Sequence, residues 1–195
     1  MKQQSKKIIR LGVSGDKGSF SEEAGLLYAR RAGIKPNLKY CIDMESVLAT
    51  LDKKQIQLGI FPVVNSRGGL VQTAFEAMGR HLFELVDEIW FDVRQCLMAR
   101  KGVKAQDIKQ ITSHPQAFSQ CERYLAKEFP KAKLVEWEDT AKAARDLALG
   151  RLPKFTAVIA PAGCARIYGL QLLKKSIQDN RPNLTTFIVV KFLKK

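Results

Sequence analysis

Apolar positions in this chain fall into short runs separated by longer stretches of helical spacing. Ile8 to Val13 and Leu58 to Val63 each read as a short buried strand, and Leu38 to Ile42 as a second strand between them. Further strands are predicted running into Ser113, over Lys133 to Glu136, over Phe155 to Ala160 and over Phe187 to Phe192. Between them the period lengthens. Val47, Leu48 and Leu51 share one helical face behind Asp43, a good N-cap, and Asp139 or Thr140 caps a helix through Leu149. Pro161 opens a shorter helix, which Tyr168-Gly-Leu170 ends. Leu82 to Met98 alternates irregularly and reads as one or two strands, and Lys101 to Asp107 as a polar turn. Strands alternating with helices predict an α/β fold with largely parallel sheets.

Three of these strands run into loops that open helices. Gly15 and Gly18 make a turn before a helix that Ser19 or Ser21 can cap, and Ser19-x-x-Glu22 fits a capping box. No Gly-Lys-Ser/Thr follows, so this is not a nucleotide-binding P-loop. Asn65-Ser-Arg-Gly-Gly69 precedes a helix expected near Leu70. The third loop is Ile111-Thr-Ser-His-Pro-Gln-Ala-Phe-Ser-Gln-Cys121. Here Ser113 can cap, Pro115 suits the first turn, and Gln116 and Gln120, four apart, share a face. Such helix starts offer N–H groups to an anion, or are ordinary capped helices; spacing alone leaves both open.

Composition narrows the class. A chain of 195 residues with 46% hydrophobic and 27% charged residues suits one domain or two small lobes. No stretch is long and apolar enough for a membrane span, and the run after the basic start is cut by Arg10, a poor signal peptide. Four widely spaced cysteines without a CxxC pair, and two histidines, His81 and His114, argue against zinc and for a reduced, cytoplasmic protein. The net charge of +14 would suit nucleic acid, an anionic metabolite or solubility. Its lysines are scattered apart from Lys6-Lys7, Lys174-Lys175 and Lys194-Lys195, and aromatics are not interleaved with them, so nucleic acid is not an expected partner.

Ser113-His-Pro-Gln-Ala-Phe-Ser-Gln-Cys121 closely resembles the SHPQA…QC signature of prephenate dehydratases, enzymes that convert prephenate to phenylpyruvate in phenylalanine biosynthesis. Other markers occur in the family's order. Gly18-Ser-Phe-Ser-Glu-Glu-Ala24 resembles the family's opening motif, Val64-Asn-Ser66 its ENS motif, Tyr168-Gly-Leu170 its YGL and Asn183-Leu-Thr-Thr-Phe187 its TRF region. Two residues depart from the pattern: Val64 stands for a glutamate and Thr186 for an arginine. The resemblance runs from about Ile9 to Val190.

The resemblance implies two α/β lobes like those of type II periplasmic receptors, with an active cleft between them. Lobe 1 is expected at about 1–90 plus 170–195 and lobe 2 at about 91–169. It implies Thr185 as donor to the departing hydroxyl, with Asn65, Ser113 and Gln120 holding the substrate. Further contacts are implied from Ser19, Ser66, His114, Gln116, Thr186 and Phe187. Arg67 and Arg181 are candidate replacements for the missing guanidinium clamp. Read from the residues alone, Thr185 would be a β-branched strand filler. Prephenate, a dianion, is the implied substrate. Aromatisation drives its reaction, so no metal or organic cofactor is expected. A homodimer is expected from the family. The chain stops eight residues after Phe187, so phenylalanine feedback through an ACT domain is not expected. Alternatives are a decarboxylase that does not aromatise and a weakly catalytic sensor of an anionic metabolite. If Val64 and Thr186 replace a charged pair, losing both is milder than losing either.

Overall fold

The structure, a computed structural model, describes residues 7–193; Lys6 and Lys194-Lys195 lie outside that range. Two mixed sheets divide the molecule. The first has the order β2 (Lys35–Cys41), β1 (Ile8–Ser14), β3 (Leu58–Asn65), β11 (Leu184–Phe192), β5 (Phe83–Asp92), with the two-residue β4 (Gly69–Leu70) paired to β3. β1 runs parallel to β2 and β3, whereas β11 is antiparallel to β3 and β5. The second sheet has the order β10 (Gln171–Lys174), β6 (Cys96–Ala99), β9 (Thr156–Ala160), β7 (Gln110–Ser113), β8 (Lys133–Glu136). β7 is parallel to its neighbours and β6 antiparallel to its own.

Helices cover both faces of each sheet, which explains strands such as Thr156–Ala160 that are buried at every position. On one face of the first sheet, Val47, Leu48 and Leu51 of α2 (Met44–Asp52) and Ala74 and Ala77 of α3 (Gln72–Met78) pack on Phe61, Val63, Ile188 and Val190. On the other, Ala24 and Tyr28 of α1 (Phe20–Arg31) pack on Leu11, Val13, Ile60 and Phe187. The second sheet is covered by α6 (Thr140–Ala148) and α7 (Ala162–Tyr168) on one side and by α4 (Pro115–Gln120) and α5 (Glu122–Glu128) on the other. Burying one such Leu or Phe side chain contributes roughly 1.5–3 kcal/mol. Among the described residues no helix is long and apolar enough to cross a membrane.

Leu82 to Met98 resolves into two strands, β5 and β6, and residues 93–95 carry the chain from one sheet to the other. It returns over residues 175–183. The return was expected near residue 170, but β10, a short strand with polar ends, still pairs with β6. The last strand begins at Leu184 instead of Phe187, because Thr185 and Thr186 are β-branched and join the ladder. The helix expected near Leu70 starts at Gln72, after Gly69 and Leu70 fold back on Asn65 and Val64.

Pro62 lies within β3, where a missing N–H should break a ladder. It sits beyond the last β1 pair, Val13 with Ile60, and beside a bulge: Phe187 pairs with Pro62 but Thr186 with Val64. Past the bulge Asn65 stands directly opposite Thr185.

Candidate active site

The carboxyl ends of β1, β2, β3, β7 and β8 converge on a cleft of about 410 Å³ between the sheets. A crevice at the carboxyl ends of parallel strands, where strand order reverses, is the usual binding place in α/β proteins. β1, with β2 on one side and β3 on the other, supplies that reversal here.

Asn65 and Thr185 form the best-defined part of the cleft. The Asn65 Oδ1 accepts the backbone N–H of Arg67 at 2.9 Å and of Gly68 at 2.8 Å, so the other end of the amide must be nitrogen. That Nδ2 donates to Thr185 Oγ1 at 2.8 Å, to Asn183 Oδ1 at 2.9 Å and to the Leu184 carbonyl at 3.2 Å, two protons shared among three acceptors. A threonine hydroxyl has one proton to give and two lone pairs. With a lone pair taken by Asn65, and no acceptor for its own proton among the described residues, Thr185 can donate into the cleft. The amide also polarises the hydroxyl, strengthening it as a donor. Both side chains are buried, Asn65 at 2% and Thr185 at 6% exposure, so the pair works away from bulk water.

The lower-numbered wall is the turn into α1. Ser19 caps this helix, its hydroxyl accepting the Glu22 N–H at 3.2 Å, while the Glu22 carboxylate takes the Gly18 N–H at 2.6 Å. The N–H groups of Phe20 and Ser21 have no acceptor among the described residues and suit a carboxylate. The chain can turn this tightly because Gly15 has φ 89°, and a Cβ there would lie 2.7 Å from an Asp139 carboxylate oxygen across the cleft.

From the second sheet come His114, Gln116 and Gln120. The cap of α4 is His114, one residue later than Ser113: its Nδ1 accepts the Gln116 N–H at 3.2 Å. Nδ1 as acceptor places the ring proton on Nε2. Burial pushes the His114 pKa down, partly offset by Glu136, so the ring is a neutral donor.

Seven of the expected residues line the cleft: Asn65, Thr185, Gln120, Ser19, His114, Gln116 and Phe187. Five are placed elsewhere. The buried Ser113 hydroxyl donates to the Ile159 carbonyl at 2.7 Å, tying β7 to β9. Ser66 brackets the start of β11 through Leu184, accepting its N–H at 3.1 Å and donating to its carbonyl at 2.8 Å. Arg67 donates to the Ser119 carbonyl at 3.0 Å and pairs with Glu122 and Asp179, and Arg181 turns to the Ser176 carbonyl, so neither guanidinium reaches the cleft. Thr186 pairs across the ladder with Val64. Two residues that the motifs did not single out are central: Asn183 links Asn65 to Gln120, and Gln95 contacts Gln120. Asn183 stands two residues before Thr185 in the same motif, and Gln95 is a polar residue at the mouth of a buried apolar run.

The register makes the two departures neighbours. A glutamate and an arginine at positions 64 and 186 would face each other across the ladder, and here both are gone together. Val64→Glu or Thr186→Arg alone therefore leaves an unmatched charge on a half-buried ladder. The double variant is expected to melt closer to the parent than the two single shifts predict. The coupling in a double-mutant cycle of thermal denaturation should be about 0.2–1 kcal/mol.

The outer wall, α2 and α3, is held by a charged clasp. His81 Nδ1 lies 2.6 Å from Asp52 Oδ2 and Nε2 lies 2.7 Å from Glu45 Oε1, so both ring nitrogens face carboxylates. Arg80 adds a 3.0 Å contact to Glu45. Burial lowers the His81 pKa, but the bonds to Glu45 and Asp52 outweigh it and raise the net value. Glu45 is held low, first by its bond from His81 and then by Arg80. The histidine's contribution is fully present below the ordinary histidine value, about 6.5, and is lost as pH rises through its raised value. That of Glu45 is present above the ordinary glutamate value, about 4.3, and is lost as pH falls through its lowered value. The melting-temperature difference between the parent and His81→Leu should thus be largest at about pH 5–6 and shrink towards both alkaline and strongly acid pH, as calorimetry can measure.

The cleft does not concentrate the chain's positive charge. Its lining holds five carboxylates, Asp43, Glu45, Glu76, Glu138 and Asp139, and one cation, Arg80. Burial pushes the Asp139 carboxyl up, against the backbone N–H groups of Lys142 and Asp16 that it accepts.

Fold and cleft together define a two-lobed α/β protein with a polar-lined cleft between its lobes. The prephenate dehydratase family model matches residues 11–195, and the chain belongs to that family. It is 33% identical over 182 residues to arogenate dehydratase 2 of Petunia hybrida, covering 93% of this chain and 44% of the relative. It is 32% identical over 182 residues to arogenate dehydratase/prephenate dehydratase 2 of Arabidopsis thaliana, covering 93% and 46%. The chain thus spans less than half the length of these curated relatives. The crystal structure of prephenate dehydratase from Arthrobacter aurescens in complex with L-Phe superposes with a TM-score of 0.83 at 26% identity, covering 96% of this chain and 61% of that one.

Proposed function

We propose that the chain is the catalytic part of a dehydratase that converts prephenate to phenylpyruvate, carbon dioxide and water on the route to phenylalanine. The observation that carries this reading is the Thr185 hydroxyl, fixed by Asn65 as a donor into a cleft of about 410 Å³. In the reaction the bond to the ring carboxylate breaks, and its electron pair enters the ring. The ring hydroxyl leaves at the opposite carbon, taking up one proton. Thr185 hydrogen-bonds that departing oxygen and passes its proton to it, so that it leaves as water, and solvent then reprotonates the Thr185 oxygen. The free N–H groups of Phe20 and Ser21, the Gln120 amide and the His114 Nε2–H are uncharged donors for the two carboxylates. Uncharged donors leave the departing carboxylate less strongly held than a guanidinium would, which favours loss of carbon dioxide.

A second reading is the same reaction on arogenate, which carries an ammonium where prephenate has a keto group. The five carboxylates of the lining favour it, as do the names of the relatives above. The test is turnover of each substrate separately. Phenylpyruvate formed faster supports the first reading and phenylalanine formed faster the second. Consumption without an aromatic product contradicts both and favours a non-aromatising decarboxylase; binding without turnover favours a sensor. The expected homodimer stays part of this proposal: β5 is the outer strand of its sheet and exposes Leu85 and Trp90. Four buried free thiols fit the reducing cytoplasm that we propose as its location.

A further inference from the structure

The buried amides of the cleft form a chain whose orientation is set by the backbone. The Val93 carbonyl accepts Asn183 Nδ2 at 3.0 Å, which fixes the nitrogen end of that side chain. The same nitrogen reaches Gln120 at 2.9 Å, so Gln120 must present its Oε1 there. Gln95 Nε2 reaches the same oxygen, also at 2.9 Å. Two donors on one carbonyl fill its two lone pairs. The Gln120 NH₂ group makes no hydrogen bond among the described residues, and Gln120 lines the cleft.

Gln95 is itself held firmly. It stands where the chain crosses between the sheets, and the returning crossing clamps it. Its backbone N–H donates to Gln178 Oε1 at 3.1 Å, and its carbonyl accepts the Ile177 N–H at 2.8 Å. Its side chain is 3% exposed, and its Oε1 is one of three buried side-chain polar atoms without a partner among the described residues. Turning the amide over would set that oxygen against the Gln120 oxygen. A buried acceptor left unpaired in a cleft is the kind of exception that function explains.

We propose that Gln95 is a positioning residue for the reaction: it holds the Gln120 carbonyl so that both Gln120 amide protons face the bound substrate. Its kinetic consequence rests on the dehydratase reading, whereas the geometry does not. Removing Gln95 frees Gln120 to rotate and lose that aim.

The test compares Gln95→Glu and Gln95→Leu, with circular dichroism to establish that each is folded. The introduced carboxyl, when protonated, can donate to Gln120 Oε1 as the amide does. Once ionised it repels that oxygen, and turning Gln120 over would set its NH₂ against that of Asn183. The expected result is a kcat/KM for Gln95→Glu within about threefold of the parent below the carboxyl's titration and about tenfold or more lower above it. The Gln120 side-chain NH₂ resonances should move through the same titration. Gln95→Leu should be down by about tenfold at every pH. A Gln95→Glu variant whose Gln120 resonances stay still and whose pH profile matches the parent overturns the proposal. So does a Gln95→Leu variant within about twofold of the parent. The resonance titration needs no turnover. A parent inert on both substrates would contradict the dehydratase reading, while the Gln120 signals still decide for or against Gln95.

Discussion

Thr185→Ala is expected to lower kcat by about 10²–10⁴-fold, the range that a positioned proton donor supplies. KM should change little, because the hydrogen bond to the departing hydroxyl strengthens mainly in the transition state. Stability should change little as well. The variant removes one acceptor of the Asn65 amide, which keeps Asn183 Oδ1 and the Leu184 carbonyl, so the cost is about 1 kcal/mol. Thr185→Ser restores the hydroxyl and should recover most of the rate. Initial rates of aromatic product formation, with a thermal melt of each variant, check this. An alanine variant as active as the parent would return Thr185 to the role of strand filler.

Asn65→Asp is expected to be nearly as damaging to turnover and more damaging to stability. The variant keeps the shape and the oxygen that accepts the Arg67 and Gly68 N–H groups. Its other terminal atom becomes an oxygen facing three oxygens, those of Asn183, Leu184 and Thr185. The charge also draws the Thr185 proton to itself and away from the cleft. We expect kcat to fall by about 10²-fold or more and stability by about 1–3 kcal/mol, the cost of a buried polar group without its partner. Protonating the new carboxyl lets it donate again, so part of the loss should reverse as pH falls. Rate and melting curves across pH measure both effects. Asn65→Ala, which also releases the two backbone N–H groups, should be the less stable of the two.

Much of the α/β order was legible because each strand is a short apolar run and each long helix carries its own cap. Asp43 and Asp139 cap α2 and α6 as their sequence context predicts. The motifs also placed Asn65, Thr185 and Gln120, three residues that the fold brings into one network. Three features could not be read from the chain. The bulge beside Pro62, which sets Asn65 opposite Thr185, depends on the pairing of β3 with β11, more than a hundred residues apart. The direction of the Ser113 hydroxyl depends on where β9 lies, and the nearest acceptor proves to be Ile159. Arg67 sits in a cleft loop but finds Ser119 and Glu122 on the neighbouring lobe and Asp179 on the returning crossing, partners that local sequence does not reveal. The neighbour that donates to Thr185 has the same origin, since Asn65 reaches it across a ladder that no local pattern displays.

The central claim is that Asn65 acts through Thr185, and a double-mutant cycle on turnover tests it most directly. Rates of aromatic product formation would be measured for the parent, Thr185→Ala, Asn65→Asp and the double variant, with prephenate and with arogenate. An active parent is expected, with a double variant about as slow as the slower single variant, because the two changes remove one function. Multiplied losses in the double variant, or a parent inert on both substrates, would contradict it.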